Sequence, residues 1–152
     1  MERKKTHFLV KLIAIALVIS LCTPIGAHAA MPETIEPMAS AYLMAYTAYI
    51  CAMGNGELQV WFEITGTGTQ EYIGVLSILL YESTDNENWY WVKTFMHQNN
   101  ETMLAQNTYC HVNYVSYQGV PGRYYKAYVG IWGGPADSGD SRYFWTPVEL
   151  CT

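Results

Sequence analysis

The chain is expected to fold as an all-β domain, a seven-stranded antiparallel β-sandwich that follows an N-terminal signal peptide. Three observations lead there. Apolar and polar residues alternate with period two through most of residues 41–151. Clusters of Gly, Asn, Asp, Ser and Pro interrupt that alternation at short, regular intervals. Beyond the leader, no stretch keeps a helical period.

Residues 1–29 read as the leader. Arg3, Lys4 and Lys5 precede an apolar run from Leu12 to Leu21, and Ala27-His28-Ala29 closes it. A charged start, a short apolar centre and an A-x-A end are the parts of a secretory signal. The run is shorter than the roughly 20 residues a bilayer-spanning helix needs. Cys22 follows Leu21, a large side chain where a lipid-attachment signal asks for a small one. Cleavage after Ala29 or Ala30 leaves about 122 residues, one domain by size, exported to the cell exterior. No membrane span is expected in this product.

Residues 30–40 carry Pro32 and Pro37 without periodicity and read as a disordered lead; residues 41–152 are the domain. Residues 41–53 mix helix-favouring Ala and Met with the alternation of Ala48, Ile50 and Ala52. The Gly54-Asn55-Gly56 that follows decides for a strand, because Asn-Gly between alternating runs is a hairpin signal. Leu58, Val60, Phe62 and Ile64 then alternate with Gln59, Trp61, Glu63 and Thr65, until Gly66-Thr67-Gly68-Thr69 is expected to end the strand.

Val75 to Phe95 organises the rest: an apolar run, the polar reversal Ser83–Asn88, then an aromatic run. The first run lacks Gly and Pro and suits a strand buried on both faces. His97–Glu101 reads as a loop and Thr102–Tyr117 as a strand, with Thr108, Cys110, Val112 and Tyr114 in its inward phase. After the Gln118–Gly122 turn, Tyr125, Ala127, Val129 and Ile131 face inward. The last strand is read as Tyr143–Cys151, with Pro147 marking an edge.

These residues resemble a known architecture. Ser83-Thr84-Asp85 with Trp89 and Val92 resembles the strand–turn–strand of fibronectin type III-like modules, although Asn86 stands where the turn usually has Gly. Leu58-x-Val60-x-Phe62 is similar to their second strand, and Pro121–Val129 to the approach to their sixth. The resemblance implies that Tyr125 is a corner tyrosine whose hydroxyl bonds back to upstream backbone. From about residue 40 onward the chain also resembles a family of small secreted proteins of Gram-positive gut bacteria, a domain of unknown function. They share the Gly-Asn-Gly, Thr-Gly-Thr-Gly-Thr and Gly-Asp-Ser-Arg stretches.

Charge and composition exclude several functions. The exported part holds Lys93, Arg123, Lys126 and Arg142 against twelve carboxylates, a formal charge of −8. Four scattered cations do not neutralise a row of phosphates, so nucleic acid is not an expected partner. His97 and His111 read as surface histidines. Cys110 beside His111 cannot form a catalytic pair within one strand, where neighbours point to opposite faces. No zinc spacing and no carboxylate pair in a motif is present. Asn100-Glu101-Thr102 matches a glycosylation sequon, which carries little weight behind a bacterial leader. The expectation is a secreted, non-enzymatic binding or adhesion module without a cofactor, meeting a protein or a glycan outside the cell.

Three sets of residues are candidates. The connections 66–74, 97–103 and 133–141 should share one pole, where Glu71, Glu101, Asp137 and Asp140 favour a cationic or calcium-bridged ligand. Thirteen tyrosines and five tryptophans exceed what a core of this size takes up. Trp61, Tyr128 and Trp132 have an outward phase, so an aromatic platform of a carbohydrate-binding module is the alternative reading. Finally, three cysteines remain after cleavage. Cys51 and Cys151 are expected on the outward side of adjacent first and last strands, where a disulfide needs Cα atoms within roughly 7 Å. Cys110 is expected as a buried thiol.

Overall fold

The computed structural model describes residues 40–152; the expected signal peptide (1–29), Cys22 and all of the expected lead except Ser40 lie outside the described residues. Seven strands form: β1 (Leu43–Gly54), β2 (Glu57–Ser83), β3 (Tyr90–Met96), β4 (Leu104–Gln118), β5 (Tyr124–Gly134), β6 (Asp140–Trp145) and β7 (Glu149–Leu150). Two single 3-10 turns, His97–Asn99 and Glu101–Met103, join β3 to β4. Every pairing is antiparallel and all seven strands belong to one hydrogen-bonded sheet. The all-β expectation holds.

The strand number agrees with the sequence reading only because two departures cancel. Residues 66–69, expected to end a strand, stay within β2, which runs for 27 residues. The start of the domain holds them on one side, where Gly66 pairs with Leu43 and Tyr42 O accepts the Thr67 N–H at 3.0 Å, and β4 resumes its pairing beyond them at Gln70. The last strand, in turn, is broken into β6 and β7. At the break the Thr146 hydroxyl accepts the Ala127 N–H at 2.9 Å and Thr146 N–H donates to Ala127 O at 2.9 Å, replacing one step of the ladder.

β2 doubles back. Fully extended, 27 residues would span roughly 90 Å, yet both ends meet one short segment of chain. Glu57 pairs with Gln118, while Ser83 pairs with Tyr124. The bend falls at 66–70, where the register with β4 shifts and Asn107 opposite adopts φ 52°. The first arm (57–65) lies between β1 and β4, and the second (72–83) carries β3 on one side and β5 with β6 beyond it on the other.

A single core fills the fold. Leu58, Val60, Phe62 and Ile64 from the first arm join Ile73, Val75, Ile78 and Leu80 from the second and Tyr125, Ala127, Val129 and Ile131 from β5. The inward phases read for the first arm and for β5 are therefore correct. Each of the Val, Leu, Ile and Phe side chains contributes about 1.5–3 kcal/mol by leaving water. The second arm departs from the reading: Leu79 and Tyr81 are only half-buried, so this strand has one fully covered face.

The β4 phase is the reverse of the expected one. Val60 pairs with Val115, Phe62 with Asn113 and Ile64 with His111, so the odd-numbered positions share the core side. Cys110 is consequently half-exposed rather than buried. His111 is no free surface histidine: its Nε2 lies 2.8 Å from Thr102 O and its ring 5.6 Å from Phe62. Asn113 donates to the same carbonyl at 3.1 Å. The turn Glu101–Met103 thus satisfies two polar side chains at the rim of the core, which a count of apolar residues cannot anticipate.

The turns follow their local chemistry. Gly54, Asn55 and Gly56 all take positive φ (90°, 53° and 82°), as the tight β1–β2 hairpin demands. In the reversal between β2 and β3, Asp85 Oδ1 accepts the Ser83 hydroxyl at 2.8 Å and the N–H groups of Glu87 and Asn88 at 2.9 and 2.8 Å. These bonds, the Asn88 N–H foremost, hold its carboxyl well below the usual carboxylate range. Asn86 takes φ 62°, the conformation a glycine would supply.

One pole is closed by backbone bonds. Gly56 N–H donates to Thr152 O at 2.9 Å, Gly119 N–H to Gly56 O at 2.8 Å and Gly122 N–H to Cys151 O at 2.8 Å. Tyr125 stands beneath: its hydroxyl accepts the Val120 N–H at 2.9 Å and donates to Glu82 Oε2 at 3.0 Å, and Glu82 is ion-paired with Arg123. The upstream backbone bond expected of Tyr125 is present. Burial, with the neighbouring Glu82 adding to it, pushes the Tyr125 phenol up to about 12.

The expected Cys51–Cys151 bridge is absent; Cys51, Cys110 and Cys151 are free thiols. β1 pairs with β2 and β7 with β5, so the first and last strands are not ladder neighbours. Cys51 looks away from the core opposite Gln59, whereas Cys151 is buried, its N–H donating to Arg123 O at 2.9 Å. The period-two count from Tyr143 failed at the break around Thr146. Burial raises the Cys151 thiol above its ordinary value.

Candidate binding surfaces

The second arm of β2 with β3, β5 and β6 turns a row of aromatics away from the core. Register sets Leu79 beside Thr94 and Tyr128, with Trp145 beyond; Tyr81 lies beside Trp91 and Lys126; Ser77 lies beside Gly130, with Tyr143 beyond. The Trp145 ring is 4.9 Å from Tyr128 and 5.3 Å from Tyr81, and Tyr143 stacks on Tyr128 at 5.9 Å. Lys126 occupies the middle. Its ammonium lies 4.2 Å from the Trp89 ring centroid and 4.7 Å from that of Trp145. Cation–π contacts of this kind are worth about 0.5–1 kcal/mol each at exposed sites.

Two contacts order side chains on this surface. A Cβ on Gly130 would come within 2.5 Å of the Tyr143 ring, so the glycine lets that ring lie down across β5. Trp91 Nε1 donates to Thr94 Oγ1 at 3.0 Å, fixing the indole on the edge strand. Trp91 nevertheless stays 59% exposed, Tyr143 55% and Trp145 49%. Exposed large aromatics in one continuous set are an unusual use of surface.

Of the predicted platform only Tyr128 belongs here. Trp61 lies in the first arm, in a row with Tyr49 and Tyr114, its ring 4.6 Å from Tyr114 and its Nε1 donating to Gln59 at 3.1 Å. Trp132 lines a cavity of about 350 Å³ together with Tyr72, Leu76, His97, Leu104 and Ala136. The sequence reading passed over Trp89, Trp91, Lys126, Tyr143 and Trp145. Trp-Tyr-Trp at 89–91 and Tyr-Phe-Trp at 143–145 were the available signal, since alternation turns both ends of each triplet to one side.

The connections 66–74, 97–103 and 133–141 do meet, around that cavity, but their acids do not converge. Asp140 accepts the Ser40 hydroxyl at 2.5 Å and the Ala41 N–H at 3.0 Å, holding the start of the domain in place; the Ser40 bond keeps its carboxyl below the ordinary value. Asp137 accepts the Ser138 hydroxyl at 3.1 Å. Glu71 and Glu101 are exposed and do not line the cavity. Among the described residues no three His, Cys, Asp or Glu side chains come together to hold a metal ion.

His97 reaches the cavity rim, and His111 Nε2 is engaged with Thr102 O. Among the described residues no buried side-chain nitrogen or oxygen lacks a partner. Comparison with protein-family models, with curated proteins and with solved structures finds no match.

Proposed function

We propose that this chain is a secreted, non-enzymatic binding module with a fibronectin type III-like sandwich, and that it holds its ligand on the aromatic face of β3, β2, β5 and β6. The doubling back of β2 around one core, the Asp85 reversal and the Tyr125 hydroxyl support that architecture. The leader residues Arg3–Lys5 and Ala27–Ala29 support export.

The observation that carries the binding reading is Lys126 clasped between Trp89 and Trp145, with Trp91, Tyr128 and Tyr143 around it. A face holding its own cation repels a cationic ligand. It suits a glycan: the C–H faces of sugar rings lie on the electron-rich faces of indoles and phenols, while the ammonium and the tyrosine hydroxyls meet sugar oxygens. From β3 to β6 the face crosses four strands, roughly 14 Å, room for an oligosaccharide rather than one ring.

The test is a glycan array with the exported protein, alongside Trp91→Ala and Trp145→Ala. Binding is expected to fall at least about tenfold in each variant. Glycan binding untouched by both, or abolished instead by Trp61→Ala, would move the site elsewhere. Capture of a protein with no glycan signal would keep the binding module and replace the ligand class. N-terminal sequencing of the secreted product checks cleavage after Ala29 or Ala30.

A further inference from the structure

The first arm ends on one side in β4, 15 residues (Leu104–Gln118) without Asp, Glu, Lys, Arg or Pro. Its sole strand partner among the described residues is β2. Folded proteins ordinarily guard such an edge with charge, proline, shortness or cover. The other edges here are guarded. β3 is short, carries Lys93 and shifts register opposite Leu80. β6 is short and carries Asp140 and Arg142. β1 leans on its neighbours, with Tyr46 5.2 Å from Phe144 and Leu43 against Gly133.

The direction of the β4 backbone groups can be read from two bonds. Tyr114 N–H donates to Asn113 Oδ1 at 2.8 Å and Cys110 N–H to Thr108 Oγ1 at 3.4 Å, so neither points at β2. In an antiparallel ladder the N–H and C=O of one residue share a side and alternate along the strand. Cys110, Val112, Tyr114 and Ser116 therefore turn their backbone groups to the open edge, and the same residues turn their side chains from the core. Side chains cover these groups at Cys110 and Tyr114. Among the described residues no side chain covers Val112, which is 52% exposed.

We propose that β4 pairs antiparallel with the β4 of a second copy of this chain, about a two-fold axis at Val112. An uncharged strand meets itself without a like-charged pair, and antiparallel self-pairing needs both strands to offer residues of one phase. Val112 then faces Val112, Cys110 faces Tyr114 and Thr108 faces Ser116. The row Tyr49–Trp61–Tyr114 runs on into the second copy, and main-chain bonds replace the covers from Thr108 and Asn113. Two-fold pairing of identical surfaces is the commonest way that chains associate, and strand addition supplies affinity through backbone bonds.

Sedimentation equilibrium of the exported protein tests this. A dimer is expected that tightens as salt rises, because screening relieves the repulsion between two acidic copies. Val112→Pro removes the edge donor without touching the β2 ladder; each dimer loses two donors, and its Kd is expected to rise at least about tenfold. Val112→Lys keeps the N–H but sets two like charges at the axis and should have the same effect, with unchanged circular dichroism checking the fold of both. Val112→Cys on a Cys110→Ser background should give a disulfide-linked dimer when a copper–phenanthroline oxidant is added. A protein that stays monomeric throughout, or a dimer that ignores both Val112 variants and does not cross-link at 112, overturns the proposal.

Discussion

The two poles of the domain are built in opposite ways. At the hairpin pole, the Gly54–Gly56 turn, the 118–122 turn and the C-terminus are tied by main-chain bonds, over a part-buried Tyr125–Glu82–Arg123 network. At the other, three connections meet around a cavity of about 350 Å³ lined mostly by apolar side chains. The first pole is closed by backbone bonds, whereas the second keeps unfilled space. Stability is stored in the bonded pole, and spare surface lies at the open one. The proposed ligand face runs along the strands between them.

Tyr125→Ala is the strongest way to break this contrast. It empties a fully buried aromatic site and deprives Glu82 of a donor, so a loss of about 3–5 kcal/mol is expected. Urea unfolding followed by tryptophan fluorescence measures it. The same residue sharpens the contrast through pH. Its proton is held more tightly in the folded state, at about 12 against an ordinary 10.0. That stability is fully present below pH 10 and is lost as pH rises toward 12, on the order of 2 kcal/mol. In Tyr125→Phe the alkaline loss should shrink, read as Tm against pH.

Trp132→Ala at the open pole should cost less than Tyr125→Ala, about 1–2 kcal/mol, because the indole is only half-buried and already borders empty space. A loss equal to that of Tyr125→Ala would mean that the poles are energetically alike. Thiol labelling compares the cysteines: Cys51 and Cys110 should react with a maleimide in the native protein, while Cys151 waits for unfolding. A non-reduced peptide map showing Cys51 linked to Cys151 would contradict the free thiols. The smallest effect is expected from calcium. With the four acids of the loop pole dispersed, millimolar calcium should leave the Tm unchanged, and Glu71→Gln or Glu101→Gln should not alter that result.

Local chemistry made much of this protein legible without coordinates. Leu58 to Ile64 and Tyr125 to Ile131 alternate between apolar and polar residues beside a filled core, so burial and hydrophobicity agree there. Asn55 and Asp85 act on backbone within three residues, so their turns are written where they occur. The failures lie where a distant segment decides. β4 carries His111 and Asn113 on its core side because Thr102 O, nine and eleven residues away, satisfies both. β2 passes through Gly66–Thr69 because Tyr42 and Leu43 hold Gly66 and Thr67 and β4 pairs again from Gln70, and Cys151 turns inward because Thr146 breaks the strand against β5. The gathering of Trp89, Lys126 and Trp145 needs three strands in register. Periodicity states that a strand has two faces; only the pairing of strands far apart in sequence determines which face is covered, since a slip of one residue exchanges them.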